Sequence, residues 1–225
     1  MIFYKITKPN GTSFYDNQTI YKLGKTLTKP FNDCPKLCTE TVLHASSTIE
    51  DAIRYAQIPM AIWKVEGKPV VQDKNKAGFF SLKVVGKVEP TDELLGCKYE
   101  EVCNPVNPMK IENEVTDADI AQLTAWVSVL DSVRVSVLDS VWDSVLDSVR
   151  DSDSVWDSIW NSVRDSIYSY IGSLFLSVEA WKDGYPYQAG ATLWRRGFVP
   201  VKKGSVWHLY GWRNGKTVSL YEVKK

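Results

Sequence analysis

Histidine and cysteine are scarce in this chain: 225 residues contain two His, four Cys and three Met. No run of eighteen apolar residues occurs, so no membrane span is expected. The opening twelve residues mix Lys5, Lys8, Pro9, Asn10 and Gly11 into short apolar stretches, which is not a secretion signal. The expected location is therefore the cytoplasm of a bacterial host cell, or a virion. The cysteines stand as Cys34-Pro-Lys-Leu-Cys38 and, farther on, Cys97 and Cys103, without the C-x2-C knuckle of common zinc sites. Free thiols are expected, with neither a metal nor a cofactor. No residue constellation specifies a reaction, so no catalytic residue is assigned and the chain reads more as a non-enzyme than as an enzyme.

What the chain does have is aromatic side chains, nine Trp and eleven Tyr, and charge laid out unevenly along a sequence that is neutral overall. Residues 1–127 carry fifteen basic against sixteen acidic side chains; residues 128–169 carry three Arg against eight Asp; residues 180–225 carry nine basic against two acidic. An acidic middle beside a basic tail invites pairing within or between chains.

The first 115 residues read as a small mixed α/β domain with its connector. Strand-like runs cover 2–6, 19–23, 41–44, 60–65 and 79–88. Ser47-Thr48-Ile49-Glu50 has the form of a capping box, and Ile49, Ala52, Ile53 and Ala56 share a helical face, so a helix is expected over about 48–57. Residues 89–115 are punctuated by Pro90, Gly96, Pro105 and Pro108. Thr116, followed by Asp117 and Asp119, then supplies a second helix start.

The most specific feature follows. Six Ser-Val-x-Asp tetrads fill residues 128–151, Ser152 and Asp153 intervene, and four more tetrads reach Ser169. On a helix four residues turn through about 400°, which puts Val and x side by side and Asp opposite, with a stripe that drifts by about 40° per tetrad. The inserted pair sets that drift back. The expected element is a long amphipathic helix over 116–175, of coiled-coil type, whose core column is Val129, Val133, Val137, Val141, Trp142, Val145, Val149, Val155, Ile159, Val163 and Ile167. A β-solenoid is the alternative, with Val and Asp sharing a face. Either stripe needs covering, so a homo-oligomer through residues 128–169 is expected.

Residues 176–225 form an aromatic, basic segment in which two strand-like runs flank Arg213-Asn214-Gly215, the signature of a tight hairpin. The fold class expected is thus α+β. It comprises a mixed N-terminal domain, a long tetrad-repeat helix and a C-terminal β-hairpin.

Taken together, Tyr4-Lys5-Ile6, Tyr21-Lys22-Leu23-Gly24-Lys25, Leu43-His44-Ala45-Ser46-Ser47 leading to Ala52 and Tyr55, the tetrads closing on Tyr170-Ile171-Gly172-Ser173-Leu174-Phe175, and Leu193-Trp194-Arg195-Arg196-Gly197-Phe198-Val199-Pro200 resemble proteins of phages and phage-like elements. That resemblance implies a structural or assembly role of phage type and no particular activity. A second resemblance is confined to the N-terminal domain. A strand ending in His44-Ala45-Ser46, then a helix carrying Ala52 and Tyr55, looks like the middle motif of ADP-ribosyltransferase-type domains, where strand and helix flank a nicotinamide pocket. No early Arg or His and no Glu matches the remaining motifs, so an inactive relative, or no relation, is expected more than an enzyme; the alternative function kept is an ADP-ribosyltransferase-like or nucleotide-binding N-terminal domain.

Two sets of candidate site residues result. His44, with Ser46 beside it, could hold a ligand hydroxyl or donate a proton. Arg195, Arg196, Lys202, Lys203 and Arg213, interleaved with Trp194, Trp207 and Trp212, form the mixture that neutralises phosphates and stacks bases, which makes nucleic acid a candidate partner; the alternative is that these aromatics form a small core against the end of the repeat while the lysines are solvated. The Asp ladder of the repeat reads as a solvated face, not a metal site.

Overall fold

A computed structural model describes residues 1–129, 160–178 and 184–224, in two units, Met1–Thr91 and Asp92–Lys225. In the first unit β1 (Ile2–Thr7) pairs antiparallel with β4 (Ala61–Glu66), which pairs with β7 (Ser81–Val88), which pairs with the short β2 (Thr26–Thr28). A second antiparallel sheet has the order β3 (Leu43–Ala45), β6 (Ala77–Phe79), β5 (Val71–Gln72). Alternation builds the core: Leu82 and Val84 on β7 and Val65 on β4 are fully buried, while Ser81, Lys83 and Glu66 between and beside them are exposed. Phe3 meets Phe79 edge to face, with ring centroids 4.8 Å apart, so the two sheets share one core. Tyr4 and Ser46 exchange both backbone hydrogen bonds, at 2.7 and 2.9 Å, which joins β1 to the residue that follows β3.

Helix α1 is shorter than the sequence suggested, Ile49–Ile53, and its cap lies one residue later than expected. Thr48 Oγ1 accepts from the Asp51 amide at 3.1 Å. Residues 19–23 are not a strand, although Tyr21 is buried in the core.

In the second unit α2 (Asp92–Leu95), α3 (Tyr99–Cys103) and a 3₁₀ turn (Pro108–Lys110) lead to α4 (Asp117–Val129). Thr116 and Asp119 cap α4 reciprocally: the Asp119 amide donates to Thr116 Oγ1, and the Thr116 amide donates to Asp119 Oδ2 at 2.9 Å. Helices α5 (Trp160–Gly172) and α6 (Gln188–Arg195) follow, then the meander β8 (Val199–Lys203), β9 (Val206–Arg213) and β10 (Lys216–Lys224). Asn214 and Gly215 turn the β9–β10 hairpin with φ of 50° and 76°, the left-handed pair that matches strand twist. Leu123, Trp126, Leu193, Phe198 and Leu209 are among the side chains that fill the core.

The expectation of one long tetrad-repeat helix is overturned, and so is the solenoid. The described residues form six short helices and three antiparallel sheets, and two separate thirteen-residue helices, α4 and α5, bound the central tetrads. A Cβ built on Gly190 of α6 would lie 2.5 Å from the Trp126 ring and 2.6 Å from Ser169 Oγ, so both helices reach the same glycine. On one straight helix those two residues would be about 65 Å apart. The stripe is therefore covered, where described, by α6 of the same chain. The face differs as well: Val163, Ser166 and Ile167 are buried, whereas Arg164 and Tyr168 in the x column are only half-buried. Small Ser side chains let the glycine-bearing α6 approach closely.

Candidate ligand cleft

The first unit carries a cleft along the seam between β1 and β3. Phe3, Lys5 and Thr7 share one face of β1; Phe3 and Thr7 are 3% and 0% exposed, which sets Lys5 between two buried neighbours. The strand β3 presents His44, and Ser46 follows at the point where backbone bonds tie the chain to Tyr4. The loop after β1 brings Tyr15, positioned by turns in which Ser13 Oγ accepts from the Tyr15 amide and Asp16 accepts from the amides of Gln18 and Thr19 and from the Thr19 hydroxyl. Residues just after α1 bring Tyr55, and Lys76 enters from the residue before β6.

Cys38 ties three of these groups together. Its amide donates to His44 Nε2 at 2.9 Å, its carbonyl accepts from the Tyr15 hydroxyl at 3.2 Å, and its sulfur lies 3.7 Å from Lys76 Nζ. Lys76 Nζ in turn sits 3.4 Å from the centroid of the Tyr55 ring, a cation–π contact. A cavity of about 280 Å³ is lined mostly by carbon, with Lys5, Tyr15, His44, Ser46, Tyr55 and Lys76 among its walls. A more polar hollow of about 530 Å³ shares Lys5, Tyr15 and His44 and adds Asp16, Lys29 and Glu40.

The electrostatics follow from burial and from clustered like charge. Burial, reinforced by Lys5, Lys76 and Lys29, pushes the His44 imidazole down to about 4, so the ring is neutral near pH 7. Because Nε2 accepts the Cys38 N–H, the proton of the neutral ring stands on Nδ1. Lys5 keeps some exposure through the cleft, but its ammonium is crowded by protein. Burial pushes it down to about 8, with Asp16 opposing and Lys76 adding to the shift. Burial and Asp16 raise the Tyr21 phenol, which stays protonated.

Of the residues expected from sequence, His44 and Ser46 are thus brought into one cavity. The basic candidates lie in the second unit and are engaged there. Arg195 forms a two-point ion pair with Glu101, at 2.6 and 3.1 Å, and also reaches Ser173. Arg196 pairs with buried Asp119 at 3.2 and 3.3 Å. Lys203 donates to the Tyr210 hydroxyl at 2.5 Å, Arg213 donates to the carbonyls of Asn113 and Trp212, and Lys202 is exposed on β8. Trp194 and Trp207 are buried, and so do not offer stacking faces. Of the repeat column, Val129 packs half-buried on the core, Val163 and Ile167 are buried, and Val133, Val137, Val141, Trp142, Val145, Val149, Val155 and Ile159 lie outside the described residues.

Sequence reasoning missed Lys5, Tyr15 and Lys76. Lys5 had a signal, being a lysine on the same strand face as Phe3; Lys76 had none, since tertiary folding alone brings it to Tyr55. No described helix is long and apolar enough to cross a membrane. No family model matches the sequence, and neither a curated protein nor a solved structure matches it.

Proposed function

We propose that the N-terminal unit is a binding module for a nucleotide-type ligand, one that joins a planar ring to an anionic group. The observation that carries this reading is the convergence of Lys5, Lys76, neutral His44, Tyr15 and Tyr55 on one cavity of about 280 Å³. Ammonium groups meet phosphate, aromatic faces meet a ring, and a mostly apolar wall with a few polar groups is how small-molecule sites are built. The ADP-ribosyltransferase resemblance falls on the same wall, through His44, Ser46, Ala52 and Tyr55. Calorimetric titration with AMP, ADP-ribose and NAD tests the reading, beside a turnover assay with labelled NAD. At least one of the three is expected to bind in the micromolar range and to weaken about tenfold in Lys76→Met; three flat titrations overturn the proposal.

A second reading, assembly of phage type through the tetrads, rests on the sequence repeat alone, because Val163 and Ile167, at 5% and 0% exposure, are already buried within this chain. Sedimentation equilibrium decides it. An oligomer that dissociates in the Val141→Asp, Val145→Asp double variant is expected, and a wild-type monomer at micromolar concentration ends the idea.

A further inference from the structure

Within the cleft Lys5 stands apart from the other cations. Lys76 is engaged with Tyr55 and Cys38, whereas the Lys5 ammonium has no hydrogen bond or ion pair among the described residues, only the Tyr21 ring with its centroid 5.5 Å away. Asp16 is the carboxylate whose charge reaches it, and that carboxylate already accepts three hydrogen bonds from its own turn. Lys5 also opens onto both hollows, which makes it accessible to a bound molecule. An amine crowded by protein, whose charge is opposed by burial and by the Lys76 ammonium, is in the environment that turns lysine from a counter-ion into a nucleophile.

We propose that Lys5 forms a reversible imine with an aldehyde borne on a planar, anionic ligand seated in this cleft. The neutral Nζ lone pair attacks the carbonyl carbon, and the carbonyl π pair moves to oxygen. That oxygen takes up the proton that nitrogen releases, giving a carbinolamine. Loss of its hydroxyl with the second nitrogen proton expels water and leaves the C=N bond; no oxidant or reductant is involved. Lys76 and the Nδ1–H of His44 face the anionic part of the ligand, and Tyr15 and Tyr55 face its ring. With its pKa lowered from 10.5 to about 8, Lys5 holds on the order of several hundred times more neutral amine at pH 7 than an ordinary lysine.

This inference rests on the cleft reading and is tested separately from it. Pyridoxal 5′-phosphate, an aldehyde on an anionic aromatic ring, is mixed in equimolar amount with the full chain at pH 7.5. The imine is then reduced with borohydride and the labelled peptides are mapped by mass spectrometry. Lys5 is expected to carry at least ten times the label of exposed Lys22 or Lys74, at a rate that climbs with pH and levels off above about 8. Lys5→Arg should retain the wild-type circular dichroism and lose the preferred site. Label spread evenly over the surface lysines of the wild type overturns the imine, even where AMP binds. Selective labelling of Lys5 alongside flat nucleotide titrations sustains the imine and removes the nucleotide reading instead.

Discussion

His44 and Lys5 make the stability of the first unit depend on pH in opposite parts of the scale. For His44 the folded pKa, about 4, lies below the ordinary 6.5. Between those values the unfolded chain binds a proton that the folded chain refuses, so stability falls as pH drops from 6.5 toward 4. In proton NMR the His44 ring signals are expected to stay unchanged between pH 5.5 and 8; a midpoint near 6.5 would contradict the burial argument. For Lys5 the folded pKa, about 8, lies below 10.5. There the unfolded chain holds the extra proton between pH 8 and 10.5, so stability rises through that window and the penalty is complete below it. Lys5→Met should therefore raise the unfolding free energy at pH 7, by roughly 1 kcal/mol once solvent in the cleft is allowed for, and should flatten the rise above pH 8. Denaturant titrations at pH 7 and 10 measure both effects. At this scale the sequence was half legible. His44 and Ser46 could be picked out as a pair at a strand end, but what lowers the basicity of His44 is burial in the folded unit, reinforced by three lysines that are 39, 15 and 32 positions away in the chain.

At the scale of elements, the motif Leu193-Trp194-Arg195-Arg196-Gly197-Phe198 acquires a physical meaning. The Gly197 amide donates to the Trp194 carbonyl and the Phe198 amide to the Leu193 carbonyl, at 3.0 and 2.9 Å, a Schellman ending for α6. Gly197 has φ of 86°, and a Cβ there would lie 2.7 Å from Ile111 Cβ. Gly197→Ala should cost roughly 2 kcal/mol, from left-handed strain and overlap together, measured by urea unfolding. The two arginines before it anchor the helix sideways. Burial works against ionisation of Asp119, but hydrogen bonds from Arg196 and Thr116 outweigh it and hold the carboxyl below its usual range. Arg196→Met would leave that carboxylate, 3% exposed, without its cation and should cost roughly 2 kcal/mol near neutral pH, less in acid where Asp119 is protonated. The starts and turns of elements were readable: Thr116 with Asp119, and Asn214-Gly215. The extent of the tetrad helix was not, because a pattern that is amphipathic at every turn contains no signal for where the chain reverses, and Gly190, the residue that receives both helices, sits outside the repeat.

For the whole molecule, the second unit is held by contacts between residues far apart in sequence. The Trp194 indole donates to the Val106 carbonyl at 2.8 Å, Asn113 donates through its side-chain amide to the Arg196 carbonyl at 2.8 Å, and the Tyr185 hydroxyl donates to the Ser169 carbonyl at 3.0 Å. Such closures are set by tertiary packing, which is why the tail could be read as a hairpin with a small aromatic core at the end of the repeat, yet the partners of that core, Val106, Asn113 and Ser169, could not be named. β8, the third strand of that sheet, went unread for the same reason: Val199-Pro-Val is a short apolar run that only its neighbours define as a strand.

The meeting of Trp126 and Ser169 at Gly190 makes the tetrad array an insertion with both ends fastened to one support. Its copy number is then separable from the integrity of the body that carries it. Duplication or loss of whole tetrads, an event to which repetitive coding sequence is prone, would change what lies between the fasteners without displacing them. Replacing residues 131–158 with a Gly/Ser linker of about twelve residues, enough to bridge the roughly 25 Å that the helix ends can be apart, should leave the near-ultraviolet circular dichroism of the aromatic core intact and the melting temperature within a few degrees. Loss of that signal would mean that the repeat is part of the support itself. The number of tetrads would then be free to track whatever the array engages, as a variable reach on a constant frame.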